Sequence, residues 1–102
     1  MRVELLYSDG CPNWRQAEEH LRAALRAVGV DEAVLSLRRV ETAEEAERLA
    51  FRGSPTVLVD GADPFGDTSA PAGLTCRVYP TSDGHRGAPT VQALVDALRS
   101  AG

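Results

Sequence analysis

The chain carries a cysteine beside a proline, Cys11-Pro12, in the stretch YSDGCPNW. The sequence predicts a helix from this point, with Cys11 at its N-cap and Pro12 at its first position. Unpaired amides and the positive end of the helix dipole would both favour a thiolate, so we expect the pKa of Cys11 to lie below the free value of roughly 8.5. Since thiolates attack disulfides, the pattern predicts a reactive thiol. A buried, inert cysteine at a helix start is the alternative.

Trp14 stands where a two-cysteine redox motif would carry its second thiol. Cys11 therefore has no local partner for a disulfide, and an external thiol or Cys76 would have to release a mixed disulfide formed there. Trp14 is a candidate surface for a substrate. Its spacing from Ala17 and Leu21 favours a different role, which is packing of the first helical turn.

The second cysteine, Cys76, falls in the predicted fourth strand. In the predicted sheet, the third strand lies between this strand and the first. A disulfide needs alpha carbons within about 7 Å, so we favour a core cysteine over a resolving partner for Cys11. Neither His20 nor His85 has metal-ligand spacing with a cysteine, and both are predicted at the surface. We therefore predict no metal site and no cofactor.

Composition limits the class of protein. The chain has 102 residues, 43% apolar and 25% charged, which fits one domain over residues 1–102. Its net charge of −4 argues against nucleic acid as a partner. The chain has no lysine, so Schiff-base chemistry is excluded. No stretch approaches the roughly 18 apolar residues of a membrane span, and no signal peptide is evident, so we expect a cytoplasmic protein with reduced cysteines.

Hydrophobic periodicity predicts a β-α-β-α-β-β-α order. The expected strands are 3–7, 34–40, 57–59 and 74–79, and the expected helices are 12–28, 42–51 and 89–100, with a long loop at 62–73. Thr42 and Glu45 have the spacing of a capping box. We expect an α/β domain with a four-stranded mixed sheet and three helices on both faces. The first helix is expected on one face and the other two helices on the opposite face.

This order resembles the thioredoxin-like superfamily, with Cys-Pro after the first strand and Ser-Pro-Thr before the third. YSDGCPNW is most similar to single-thiol glutaredoxin-like proteins, and GSPTVLVDG resembles the family's cis-proline segment. A weaker likeness is to short thioredoxin-fold proteins labelled alkylmercury lyase. The chain departs from glutaredoxins at Trp14, in its long 62–73 loop, and at Ser82-Asp83-Gly84, which replaces their Gly-Gly-x-Asp segment only loosely.

The resemblance implies that Pro55 is cis, faces the cysteine loop and exposes the Ser54 backbone for pairing with a substrate. It also implies that Cys11 is the catalytic thiol. The residues expected to bind substrate are Pro12, Trp14, Ser54, Pro55 and Thr56.

Three functions remain open. The first is a monothiol oxidoreductase that acts on a disulfide-containing protein or a low-molecular-weight thiol. The second is a non-catalytic binding module, one form of which would capture a soft metal such as mercury with Cys11 and Cys76. The third is a domain whose thiol is vestigial and whose long 62–73 loop serves as an interaction surface. The sequence leaves the oligomeric state undetermined.

Overall fold

A computed structural model describes residues 1–9, 13–49, 51, 53–65, 79–81 and 84–101. Within these ranges the chain forms five strands and three α-helices. The strands are β1 (Val3–Tyr7), β2 (Leu35–Arg39), β3 (Thr56–Val59), β4 (Tyr79–Thr81) and β5 (Gly84–Arg86). The helices are α1 (Trp14–Ala27), α2 (Ala43–Arg48) and α3 (Val91–Ala101), and a short 3₁₀ helix (Glu32–Val34) precedes β2.

The main sheet has three strands in the order β2-β1-β3. β2 runs parallel to β1, from the pair Val3 and Leu35 to the pair Tyr7 and Arg39. β3 runs antiparallel to β1, with Leu5 opposite Val57. β1 is central and buried on both faces, whereas β2 is a largely exposed edge strand.

Side-chain alternation along the strands creates two apolar layers. The larger layer joins one face of the sheet to α1 and α3, through Val3, Leu5, Leu21, Leu25, Val57, Leu94 and Leu98. The smaller layer covers the opposite face and contains Leu6, Val40, Ala46 and Phe51. The single step from Leu5 to Leu6 therefore changes the layer to which β1 contributes.

The predicted distribution of the helices was wrong in one respect. α1 and α3 pack against each other on the same face, and α2 alone covers the other. The reason is the size of each apolar stripe. α1 buries four residues, including Leu21 and Leu25, and α3 buries Leu94, Val95 and Leu98, whereas α2 has six residues and buries only Ala46. Helices do occupy both faces, as predicted.

Over the described residues the main sheet has three strands and not the predicted four. Instead of a fourth strand in the main sheet, the described residues form a separate antiparallel pair, β4 and β5, with Tyr79 opposite Arg86. The sequence predicted a turn where this pair lies. Residues 74–78 of the predicted fourth strand, and residues 66–73 of the predicted loop, fall outside the described ranges.

Candidate functional site

The segment before Cys11 and the segment of Pro55 meet at one buried hydrogen bond. The backbone N–H of Ser8 donates to the Ser54 hydroxyl oxygen at 3.0 Å, across 46 positions of sequence. Ser8 follows the last residue of β1, and Ser54 lies two residues before β3 begins. Because β1 and β3 are antiparallel, the end of one lies beside the start of the other. The sheet thus brings together the two motifs that the sequence singled out.

The peptide bond between Ser54 and Pro55 is cis, as the family resemblance implied. The Pro55 carbonyl accepts a hydrogen bond from the hydroxyl of Tyr79, which is buried in β4. One residue further on, the Thr56 hydroxyl donates to the Gly53 carbonyl at 2.6 Å. These bonds satisfy the carbonyl groups of Pro55 and Gly53 and the hydroxyl of Thr56 within the protein.

Ser54, Pro55 and Thr56 are all buried, and Ser54 has 0% exposed surface. The family resemblance implied an accessible Ser54 backbone, and the structure differs on this point. Ser54 can be buried because its hydroxyl accepts the Ser8 N–H, and the neighbouring carbonyls of Pro55 and Gly53 are also hydrogen-bonded. A role for these three residues in binding substrate stays a prediction.

The helix after the cysteine motif begins later than expected. α1 starts at Trp14, and its N-cap is Asn13 rather than Cys11. Asn13 has helical backbone angles, and its side chain makes no capping hydrogen bond. The helical geometry therefore reaches Asn13, two residues beyond the thiol. Cys11 and Pro12 themselves lie outside the described residues.

Trp14 packs differently from the expected helix stripe. Its ring stacks on Tyr7, with centroids 4.2 Å apart and planes inclined by 23°. The Arg15 guanidinium lies 5.2 Å from the centroid of the same ring. Both aromatic side chains remain partly exposed. The end of β1 and the start of α1 are thus joined by an aromatic pair beside the position of Cys11 in the chain.

Arg39 is a site residue that the sequence interpretation missed. Its guanidinium pairs with Asp9 at 3.0 Å and also with Glu41. The hydrogen bond with Glu41, together with the charges of Glu41 and Asp9, raises the pKa of Arg39 above its ordinary value. Arg39 offsets the negative charge of Asp9, which lies two residues before Cys11 in the sequence. No local pattern identifies Arg39, because its closeness to Asp9 follows from the register of β1 and β2, which sets Arg39 opposite Tyr7.

His20 is more than the surface residue that was predicted. It is half-buried, and its Nδ1 donates to the Pro89 carbonyl at 2.8 Å. This bond attaches α1 to the segment between β5 and α3. No spacing rule identifies it, because the partner is a backbone carbonyl 69 positions away.

The other predicted residues fall outside what can be assessed. Cys76 and Arg52 are beyond the described ranges, as is the side chain of His85. Among the described residues, no group of three or more His, Cys, Asp or Glu side chains is arranged to hold a metal ion. In the same part of the chain, no helix is long and apolar enough to cross a membrane.

Fold and contacts together define a small α/β domain with a three-stranded mixed sheet, in which a cis Ser-Pro junction is hydrogen-bonded to the loop after β1. No family model, curated protein or solved structure matches the chain.

Proposed function

We propose that the protein is a single-thiol, thioredoxin-like oxidoreductase that acts through Cys11. The observation that carries the proposal is the buried bond from the Ser8 N–H to the Ser54 hydroxyl oxygen. It ties the cysteine segment to the Ser-Pro junction, which is the pair of motifs on which the resemblance rests.

The architecture supports the thioredoxin-like class. A parallel β1-α1-β2 unit is followed by a helix on the opposite face and by an antiparallel third strand beside β1. This arrangement directs the loop after β1 and the start of α1 to the same edge of the sheet as the cis junction. We infer that Cys11 acts from this edge.

In the proposed reaction, the Cys11 thiolate attacks one sulfur of a substrate disulfide. The substrate S–S bond breaks, and the other substrate sulfur leaves with the bonding electrons and takes a proton from water. The product on the enzyme is a mixed disulfide. A thiolate from outside then attacks the substrate sulfur of this mixed disulfide, forms a new disulfide with it and releases the Cys11 thiolate, so that one substrate sulfur leaves as a thiol and the other leaves bonded to the outside thiol. We propose a cytoplasmic location, where such thiols are abundant.

The surroundings of the cysteine segment give the described residues separate roles. We propose that Trp14 and Pro12 contact the substrate, since Trp14 is partly exposed beside the motif. Ser54, Pro55 and Thr56 would form the wall behind the thiol. Arg39 would keep the Asp9 carboxylate from opposing the thiolate, because the two side chains lie 3.0 Å apart.

The decisive experiment measures the rate of thiol alkylation against pH. The wild type should show a fast phase that titrates below the free-cysteine value of roughly 8.5. Cys11→Ser should abolish this phase, and Cys76→Ser should retain it. Circular dichroism and thermal unfolding check that each variant stays folded. A wild-type thiol with the ordinary pKa, or a fast phase lost in Cys76→Ser alone, would refute the proposal.

Turnover and metal binding separate the remaining alternatives. An oxidoreductase reduces a small mixed disulfide repeatedly when glutathione or a dithiol is supplied, and Cys11→Ser is inactive. A non-catalytic module shows no turnover. A soft-metal site would bind one mercury ion through both cysteines, so that either serine variant loses it.

A further inference from the structure

Gly87 packs directly against the residue that caps α1. A Cβ atom added at Gly87 would lie 2.9 Å from the Cβ of Asn13, and closer still to its Cγ and Nδ2. Rotation of the Asn13 side chain would relieve the contacts with Cγ and Nδ2. It would leave the contact with Cβ, whose position is fixed by the backbone. An alanine at position 87 therefore displaces the start of α1 or the 87–90 segment.

A glycine is required at position 87 because a side chain there would clash with Asn13, and not because of the backbone angles. Gly29, Gly53, Gly61 and Gly84 have left-handed φ values, whereas Gly87 does not. Gly84, in the neighbouring strand, has the converse property. Its φ is +99°, and an added Cβ would meet nothing within 4 Å. The two glycines thus offer a matched pair of substitutions with different physical effects.

A second contact prevents the 87–90 segment from moving away. Two residues after Gly87, the Pro89 carbonyl accepts the hydrogen bond from His20 Nδ1 at 2.8 Å. Between them, Ala88 is buried in the larger apolar layer. Asn13 and His20 are seven residues apart, which places them on one face of α1. The segment therefore lies along that face and is held at both positions.

We propose that Gly87 is a positioning residue for Cys11. Its bare alpha carbon lets Asn13 lie against the 87–90 segment, which fixes the start of α1 two residues after the thiol. This inference rests on the proposed function, because it assigns Gly87 the task of holding the helix end that stabilises the thiolate.

The effect of Gly87 on the start of α1 can be tested without measuring the reactivity of Cys11. Trp14 is the chain's single tryptophan and follows Asn13 directly, so its fluorescence reports on the start of α1. Gly87→Ala should shift the emission to longer wavelength as Trp14 separates from Tyr7. Adding Asn13→Gly should restore the wild-type spectrum, because it removes the side chain that clashes. Asn13→Gly alone and Gly84→Ala should leave the spectrum of the folded protein unchanged.

The functional part is measured on the same four variants by alkylation of Cys11 against pH. Gly87→Ala should slow alkylation near neutral pH by about threefold or more, as the pKa of Cys11 rises toward its free value. The Asn13→Gly/Gly87→Ala double variant should recover the wild-type rate. Gly84→Ala should retain it, although that variant is less stable.

The outcomes distinguish the two proposals. An unshifted emission spectrum in Gly87→Ala, or a shift that Asn13→Gly fails to reverse, overturns the positioning role. Shifted emission with an unchanged pH profile also overturns it, while the low pKa in the wild type still supports the thiol chemistry. An ordinary wild-type pKa refutes the proposed function, and emission then decides whether Gly87 positions the helix start.

Discussion

At the scale of single residues, the Ser54 hydroxyl links the two motifs of the site. It accepts the N–H of Ser8 in a buried environment, where an unpaired backbone donor is costly. A serine before a proline is an ordinary turn signal in sequence. Its partner makes it specific, since that partner lies three residues before Cys11.

Ser54→Ala should therefore lower the free energy of unfolding by about 1–3 kcal/mol, because it leaves the buried Ser8 N–H without an acceptor. Urea denaturation measures the change. Ser36→Ala is the matched control. Ser36 is exposed in the edge strand β2, so its replacement should change stability by no more than about 0.5 kcal/mol. Equal losses for both variants would show that the buried hydrogen bond contributes nothing.

The charged side chains beside the cysteine motif form ion pairs at the surface. Asp9, Arg39 and Glu41 are all largely exposed, so their mutual attraction is weak and sensitive to salt. The functional consequence is local. Arg39 supplies a positive charge at Asp9, the carboxylate nearest Cys11 in the sequence.

At the scale of elements, local contacts determine where α1 ends and where α2 begins. Gly29, with φ of +77°, closes α1, and the next amide, that of Val30, returns to the Leu25 carbonyl at 2.9 Å. Half of the predicted capping box of α2 is present: the Thr42 hydroxyl accepts the Glu45 N–H at 3.1 Å, whereas the Glu45 carboxylate accepts the N–H of Glu41 at 2.9 Å. α2 ends at Arg48, three residues before the predicted end, because Phe51 turns into the smaller apolar layer.

The Thr42 cap should be measurable on its own. Thr42→Ala should cost about 1 kcal/mol of unfolding free energy, because it removes the acceptor for the Glu45 N–H. Thr42→Ser keeps the hydroxyl and should stay within about 0.5 kcal/mol of the wild type. Urea midpoints of the two variants test this. A loss of the same size in Thr42→Ser would assign the effect to the methyl group instead of the cap.

At the scale of the whole molecule, the two apolar layers determine where the helices lie. The larger layer joins α1, α3 and the sheet, and it holds the helix that begins at the proposed site. Leu21 is fully buried in this layer. Stability of the layer is therefore a condition for a fixed helix start.

Leu21→Ala should lower the free energy of unfolding by about 2–5 kcal/mol, since it removes buried apolar surface and leaves a cavity. Leu37→Ala provides the comparison, because Leu37 is 41% exposed in β2 and its loss should cost less than about 1 kcal/mol. Thermal or urea unfolding measures both. A Leu37→Ala variant as unstable as Leu21→Ala would contradict the assignment of the core to the α1–α3 face.

The sequence by itself predicted the local secondary structure, and it supplied the hypothesis of a reactive thiol at Cys11. The bounds of β1, the edge character of β2, the Thr42 cap and the Gly29 stop follow from patterns within a few residues, because alternation and capping are local effects. The cis bond at Pro55 was expected only through the family resemblance. The start of α1 was misplaced because a Pro at a helix start is only a preference.

Tertiary structure decided which distant groups meet. It placed α3 beside α1, paired β4 with β5, buried Ser54, and set Gly87 against Asn13 and His20 against Pro89. Each of these contacts depends on which apolar surfaces pack together, or on the space left between backbone segments that are far apart in sequence. Such contacts have no local signature, because they are properties of packing.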